Sequence, residues 1–421
     1  MTGLPFLSSD LKGLQMMPSL LSKRFELLRG FNRDLKFILV SLAFRRVVMG
    51  FLEVVRAIYF AIIGFSPAEI GFLFTIPIAT GALRSGIVGV LADKYGRKIF
   101  ILLGNLFSTL RLIIYVFSRD YWALALAQAL GAFGEGGGAG QPSVSALIAD
   151  KTDSRDRTHV FSIIALTNSG AAILGSLMAG TPALFQSKLN LDVISSYALL
   201  FLIGALFSVL AALLVLPVRE ERKNQQIEEK SGKLLPEKSW GIIGKFSLVR
   251  CVGGLGFGMV TPLLPLYFYM KFSTGSEVLG PFYALSRFLS MVLYLFADDV
   301  VELVGEVGSI VASRLASLIG IFLLPFAPSF HLAAILLVLI RAPALFTVPI
   351  RQSFITLIVD PSESASAVGI SNMARMGVRS IAPALTGYIF ESISLNVPFF
   401  LGGILIGVNA LLYKFFFGRD R

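Results

Sequence analysis

Charge is scarce in this chain. Only 15% of its 421 residues are Asp, Glu, Lys or Arg, against about a quarter in a typical soluble domain. A large water-soluble helical protein is therefore a poor fit. A single cysteine, Cys251, excludes an intrachain disulfide. The two histidines, His159 and His331, lie in separate segments with no Cys or His nearby. Neither a metal site nor a Cys–His nucleophile is expected. The glycine run Gly134 to Gly138 follows no strand and is not closed by Gly-Lys-Ser/Thr, so it is no phosphate loop. No ATPase motif and no convergent nucleophile–base set is visible. No enzyme activity and no cofactor is expected. The short alternating strands of a membrane barrel are missing as well.

Long apolar runs are what the chain has instead. Hydrophobic residues make up 55% of it, and the mean hydropathy is +0.78. About 20 apolar residues cross the ~30 Å of bilayer hydrocarbon. Twelve candidate spans follow, at roughly 36–62, 68–92, 99–117, 122–149, 158–180, 196–216, 241–268, 278–297, 307–327, 331–358, 366–391 and 398–416. Backbone groups in lipid must be satisfied within the segment, so the spans are expected to be helices. With the N-terminus inside, the inner segments hold 21 Lys and Arg and the outer loops only Arg119, Lys188 and Lys271. That asymmetry puts both termini in the cytoplasm and the protein in the plasma membrane. It also accounts for the net charge of +11 without any nucleic-acid partner. Residues 1–35 show no signal-peptide pattern. Leu21, Phe25 and Leu28, set among Lys23, Arg24 and Arg29, suggest an interfacial helix there or a frayed tail.

A polar stretch at 217–240 separates a six-span unit at 36–216 from another at 241–416, with a short tail at 417–421. The two units repeat weakly. GQPSVSALIAD (Gly140 to Asp150) closes span four, and VPIRQSFITLIVD (Val348 to Asp360) closes span ten. Pro142 and Pro349 correspond, as do Asp93 and Asp298, at nearly equal offsets. Equal offsets at separate places favour a duplicated unit.

The most specific string is GVLADKYGRK, from Gly89 to Lys98. A cluster of one acid, three bases and two glycines cannot sit in lipid, so it marks a cytoplasmic turn. It resembles the loop signature of the major facilitator superfamily, G-x-L-A-D-(R/K)-x-G-(R/K)-(R/K), at every specified position. VPIRQSF and NMAR (Asn372 to Arg375) resemble an efflux-like prokaryotic branch whose substrates are poorly defined. The resemblance implies an all-α membrane fold, with twelve transmembrane helices in two pseudo-symmetric six-helix bundles. It implies gating by Gly89, Asp93, Lys94, Gly96, Arg97 and Lys98, with Asp93 facing the start of span eleven near Ser364 to Ser366. Two motifs of drug–proton antiporters depart. AQALGAFGEGGG (Ala127 to Gly138) lacks the span-four Arg, and GSLMAG (Gly175 to Gly180) lacks the span-five Pro.

Thirteen further Lys and Arg fall inside the expected spans, and Glu53, Glu135 and Glu391 are too few to neutralise them. Each mid-span charge costs at least ~2.5–3.5 kcal/mol unless it reaches water or a partner. Some have plain explanations. Arg45, Lys245 and Arg351 lie where they can snorkel to the headgroups, and Arg111 and Arg314 suit anchoring or packing. In the family, spans one, four, seven and ten line the central cavity. On span one, Arg45, Arg46, Met49, Glu53 and Arg56 share an arc of about 100°, with Glu53 placed to pair with Arg56 or Arg46. Span four adds Gln128 and Glu135, span seven Arg250 and span ten Arg341. Arg341 is expected to meet Glu135 across the pseudo-axis. Arg375 and Arg379 share one face of span eleven, at the interface between halves, and suit gating or ligand contacts.

These features point to a secondary transporter of a small organic solute, monomeric, embedded in lipid and coupled to protons. Arg46, Arg56, Gln128, Arg250 and Arg341 are the expected substrate contacts, and Glu53 and Glu135 the proton carriers. The cationic balance favours an organic anion or an amphipathic acid. The alternatives are a multidrug exporter of lipophilic cations and, in another class, a membrane receptor or lipid scramblase.

Overall fold

The computed structural model describes residues 32–134, 157–219, 238–360 and 363–418. Among these the chain forms fifteen α-helices and one 3-10 turn, with no strand. The helices are α1 (Arg33–Ile62), α2 (Pro67–Tyr95), α3 (Arg97–Phe117), α4 (Tyr121–Gly134), α5 (Arg157–Met178), α6 (Thr181–Leu189) and α7 (Val193–Val215). After the linker come α8 (Trp240–Val260), α9 (Leu264–Phe272), α10 (Ser276–Leu295), α11 (Ala297–Leu323), α12 (Phe330–Phe346), α13 (Val348–Ile358), α14 (Ser364–Ser392) and α15 (Val397–Phe417). Local chemistry sets several ends. Asn32 caps α1 through its side-chain oxygen, and the Asp192 carboxylate accepts from Ser195 N at 3.1 Å to start α7. That hydrogen bonding holds the Asp192 carboxyl below its ordinary range. Gly96, at φ 98°, turns the chain between α2 and α3, a conformation that L side chains disfavour.

Among the described residues, six helical stretches are long and apolar enough to cross a membrane: Arg97–Phe117, Val193–Val215, Trp240–Phe272, Ala297–Phe326, Phe330–Ile355 and Val397–Phe417. Ile163–Met178 and Thr181–Leu189, bent by 41°, make a seventh if they form one span. The sequence predicts twelve. Two of the others, 68–92 and 122–149, run on into residues outside those fully described, and the charge on further helices accounts for part of the rest. Helices α1, α10 and α14 are 20 to 30 residues long, but they carry Arg45, Arg46, Glu53 and Arg56, then Arg287, then Arg375 and Arg379. A helix that lines a polar interior cannot be apolar all round.

Packing follows one pattern twice. In the first set, α1 packs on α5 and α7, α3 on α4 and α7, and α2 on α4. In the second, α8 packs on α14 and α15, α11 on α12 and α15, and α10 on α12. Two larger contacts join the sets: α2 against α14, and α5 against α10. Buried aromatics fill the core at one end, with Tyr59 edge-on to Phe201 at 4.9 Å and Tyr267 at 4.3 Å from Phe399.

At that same end the two sets close on each other. Gly71 and Gly387 let α2 and α14 touch backbone to backbone. A Cβ on Gly71 would collide with the carbonyl of Pro383, and one on Gly387 with that of Pro67. Glu391 accepts a hydrogen bond from Ala68 N at 2.9 Å, Thr75 Oγ1 accepts one from Ala384 N at 3.2 Å, and Tyr197 and Ser276 share one at 3.1 Å. Further along, the backbones draw apart. A Cβ on Gly81 would find only the Met376 methyl, at 3.8 Å, and one on Gly170 would find nothing within 4 Å.

Candidate functional site

A cavity of about 320 Å³ lies where the helices diverge. Its wall is drawn from α1, α8, α11, α12, α13, α14 and α15, and it is dense in arginine. Arg250, Arg314, Arg341, Arg351, Arg375 and Arg379 all line it, and Glu53 is the one acid on the wall among the described residues.

Glu53 is the pivot of the site. Its side chain is 36% exposed, and it reaches from α1 to the second set of helices. One carboxylate oxygen accepts from Arg341 Nη2 at 2.7 Å, and the other accepts from Arg287 Nη2. Arg341 is buried. Its Nε donates to Ser286 Oγ at 3.3 Å, and its guanidinium lies 4.0 Å from the centre of the Tyr283 ring. The carboxylate therefore links α1, α10 and α12 through two charge-assisted contacts. Breaking such a pair by removing one partner leaves an uncompensated charge, at a cost of about 3–5 kcal/mol in a fully buried setting.

The structure redistributes the expected partners. Glu53 pairs with neither Arg56 nor Arg46. Arg46 sits within electrostatic range of Glu53 and Arg287 without lining the cavity. Arg56 donates to Gln128 Oε1 at 3.1 Å and lies 4.5 Å from the Phe74 ring centre. Gln128 is fully buried, accepts from Tyr115 Oη at 2.7 Å and donates to Leu73 O at 3.0 Å. Arg56 and Gln128 thus lock α1, α2, α3 and α4 together, away from the cavity that they were expected to line. The reason is geometric: the amide of Gln128 satisfies three partners inside the helix packing and leaves no face for a solute.

Other expected residues divide. Arg250 and Arg341, expected as substrate contacts, both line the cavity. Arg375 and Arg379, expected to serve gating or ligand contacts, also lie on its wall, with Arg375 donating to Asn372 Oδ1 at 2.8 Å and Arg379 to Thr261 Oγ1 at 3.4 Å. Lys98 Nζ donates to Leu216 O at 2.6 Å, across from α3 to the end of α7, and Arg97 opens α3. The side chains of Asp93 and Lys94, the surroundings of Gly89 and the position of Glu135 lie outside the described residues, so the expected contacts of Asp93 with span eleven and of Glu135 with Arg341 do too.

Three lining or pairing residues were not singled out from the sequence as site residues. Arg287, from α10, completes the Glu53 pair. Arg351 was expected to snorkel, and instead it donates to Ala344 O at 3.4 Å inside the cavity wall. Arg314 was expected to serve anchoring or packing, and it does pack, but on the cavity wall. It is buried, donates to Asn409 Oδ1 at 2.9 Å, and lies 4.6 Å from the Phe257 ring centre. The lone acid on span one was a signal for a cross-helix arginine, but it could not say which.

The comparisons agree with this architecture. The sequence pattern of the Major Facilitator Superfamily matches residues 38–383. An uncharacterized membrane protein of Saccharomyces cerevisiae is 23% identical, over 92% of this chain and 95% of its own length. Multidrug resistance protein 1 of Bacillus subtilis is 25% identical, over 82% of this chain and 87% of its own. A mutant of the nucleoside transporter NupG has the same fold, with a TM-score of 0.75 over 92% of this chain and all of that one, at 15% identity. With the family pattern spanning most of the sequence, the chain belongs to the Major Facilitator Superfamily, a family of membrane transporters and not of enzymes.

Proposed function

We propose that the chain is a secondary active transporter of a small organic anion or amphipathic acid, coupled to protons through Glu53. It works by alternating access across twelve spans, arranged as two six-helix bundles at 36–216 and 241–416 with both termini cytoplasmic. The repeated packing pattern supports the two bundles. On this orientation the Gly71–Gly387 crossing closes the outer end, and the cavity faces inward.

The observation that carries the reading is the Glu53 carboxylate held by Arg341 and Arg287 in a cavity otherwise walled by arginine. When Glu53 takes a proton, both guanidiniums lose their counter-ion. A substrate carboxylate then fills the vacancy. Proton and anion thus favour each other's binding, which is positive linkage. When the anion leaves, Glu53 ionises and the pair re-forms, so an empty transporter does not leave the arginines bare. Glu135 remains a second candidate for the proton.

The test is uptake of an organic acid such as benzoate into proteoliposomes under an imposed pH gradient. The wild-type protein should accumulate it. Glu53→Gln should abolish gradient-driven accumulation while retaining exchange of labelled for unlabelled anion. Undiminished accumulation in that variant would remove Glu53 from the coupling role. A second reading, export of lipophilic cations, is favoured by the name of the Bacillus subtilis relative. It requires Glu53 to release two arginines and take a cation in a cavity that repels it. Stabilisation of the purified protein by ethidium, lost in Glu53→Gln, would establish it.

A further inference from the structure

Charge on the cavity wall is matched at one end only. Glu53 serves Arg341 and Arg287. Arg250, Arg314, Arg351 and Arg375 have no carboxylate partner among the described residues. Arg250 donates to Ser371 Oγ at 3.3 Å, and the acceptors of the other three, Asn409, Ala344 O and Asn372, are equally neutral. The Nε of Arg375 is buried and makes no hydrogen bond. These four side chains come from four helices, α8, α11, α13 and α14, and they converge on one volume. They are also close enough to repel one another: Arg375 feels Arg250 and Arg351, and Arg314 feels all three.

Packing alone does not account for this arrangement. Arg314 has a structural explanation in Asn409 and the Phe257 face. Arg250, Arg351 and Arg375 have weaker or single neutral contacts and point their charge at the same space. Like charges gathered away from bulk water raise each other's energy, and the repulsion grows as the local dielectric falls. One negative group bound at Arg341 would leave it in place.

Resting on the anion-transport reading above, we infer that the substrate carries at least two negative charges. One group replaces Glu53 at Arg341. The second, a phosphate-type oxyanion or a second carboxylate, seats on Arg250, Arg351 and Arg375. Planar guanidinium forks suit either oxyanion, because each offers two parallel N–H donors.

The experiment compares ring-matched probes on the full-length purified protein by competition binding: benzoate, phthalate and phenyl phosphate, at a pH where the latter two are doubly charged. Phthalate or phenyl phosphate should bind at least about tenfold more tightly than benzoate, the scale of one added charge-assisted hydrogen bond. Which of the two binds better tells carboxylate from phosphate. Arg375→Gln and Arg351→Gln should shrink that preference, whereas Arg341→Gln should weaken all three probes together. Equal affinity for benzoate and both dianions in the wild-type protein overturns the two-charge inference and leaves the anion reading standing. Because this comparison uses wild-type protein, it holds even where a variant fails to fold. Binding of no anion at all overturns the anion reading itself. A uniform loss across the three probes in Arg375→Gln overturns the assignment of the second seat.

Discussion

Glu53 and Arg56 sit one turn apart on α1 and carry opposite charges, yet they serve different clusters. Glu53 crosses to Arg341 and Arg287 on α12 and α10. Arg56 stays among α2, α3 and α4, on Gln128 and the Phe74 ring. The local pair that their spacing offers is worth only ~0.2–0.5 kcal/mol. Cross-helix partners in a desolvated interior offer more, so each side chain goes to the neighbour that satisfies it best. The first cluster is charged, partly exposed and open to a cavity. The second is built around the buried neutral amide of Gln128. One suits exchange of partners during a cycle, and the other suits permanence.

Substitutions sharpen that contrast. Arg341→Ala should have the largest effect. It strips one of the two arginines from Glu53, lowers stability by about 2–3 kcal/mol after allowance for the partly exposed carboxylate, and abolishes transport of organic acids. Loss of thermal stability without loss of transport would break the distinction. Gln128→Leu should come next. It removes one contact each from Arg56 and the Tyr115 hydroxyl and the side-chain donor to the Leu73 carbonyl, at about 1–3 kcal/mol for a buried group left unsatisfied. Melting in detergent should fall, while transport per folded molecule stays near the parent value. A change in substrate preference would instead place Gln128 in the binding site. Gly71→Val should destabilise the protein least but disturb its conformational balance. The added side chain collides with Pro383 O, so alkylation of a cysteine introduced at Thr75 should quicken from the outer face. An unchanged rate would show that the α2–α14 crossing does not close that end.

The sequence made the class of fold visible because bilayer length and loop charge leave few alternatives. GVLADKYGRK named the family on its own. Cavity residues on α8 and α12 were legible for the same reason, since Arg250 and Arg341 fall on spans that line the cavity in that family. The misassigned residues share a cause. Whether an intramembrane arginine snorkels, packs or faces a cavity depends on which helix lies across from it, and one sequence carries no record of that. Arg351 lies only two residues after Pro349, where α12 breaks into α13. That break turns a side chain otherwise headed for the headgroups toward the cavity. Gln128 shows the converse: a polar residue on a lining span can be fully occupied by its own bundle.

The crossing of α2 and α14 has a mechanical consequence. The helices touch backbone to backbone near Gly71 and Gly387 and are held apart by side chains at Gly81 and Met376, so the tightest point of a long contact lies at one end and can serve as a pivot. From Gly71 to Tyr95, α2 runs roughly 36 Å at 1.5 Å per residue. A tilt of about 10° on that pivot carries the far tip about 6 Å, more than one helical turn of rise. A side chain at Gly71 would act at the short arm, where a fraction of an ångström is geared up into the width of a solute at the other.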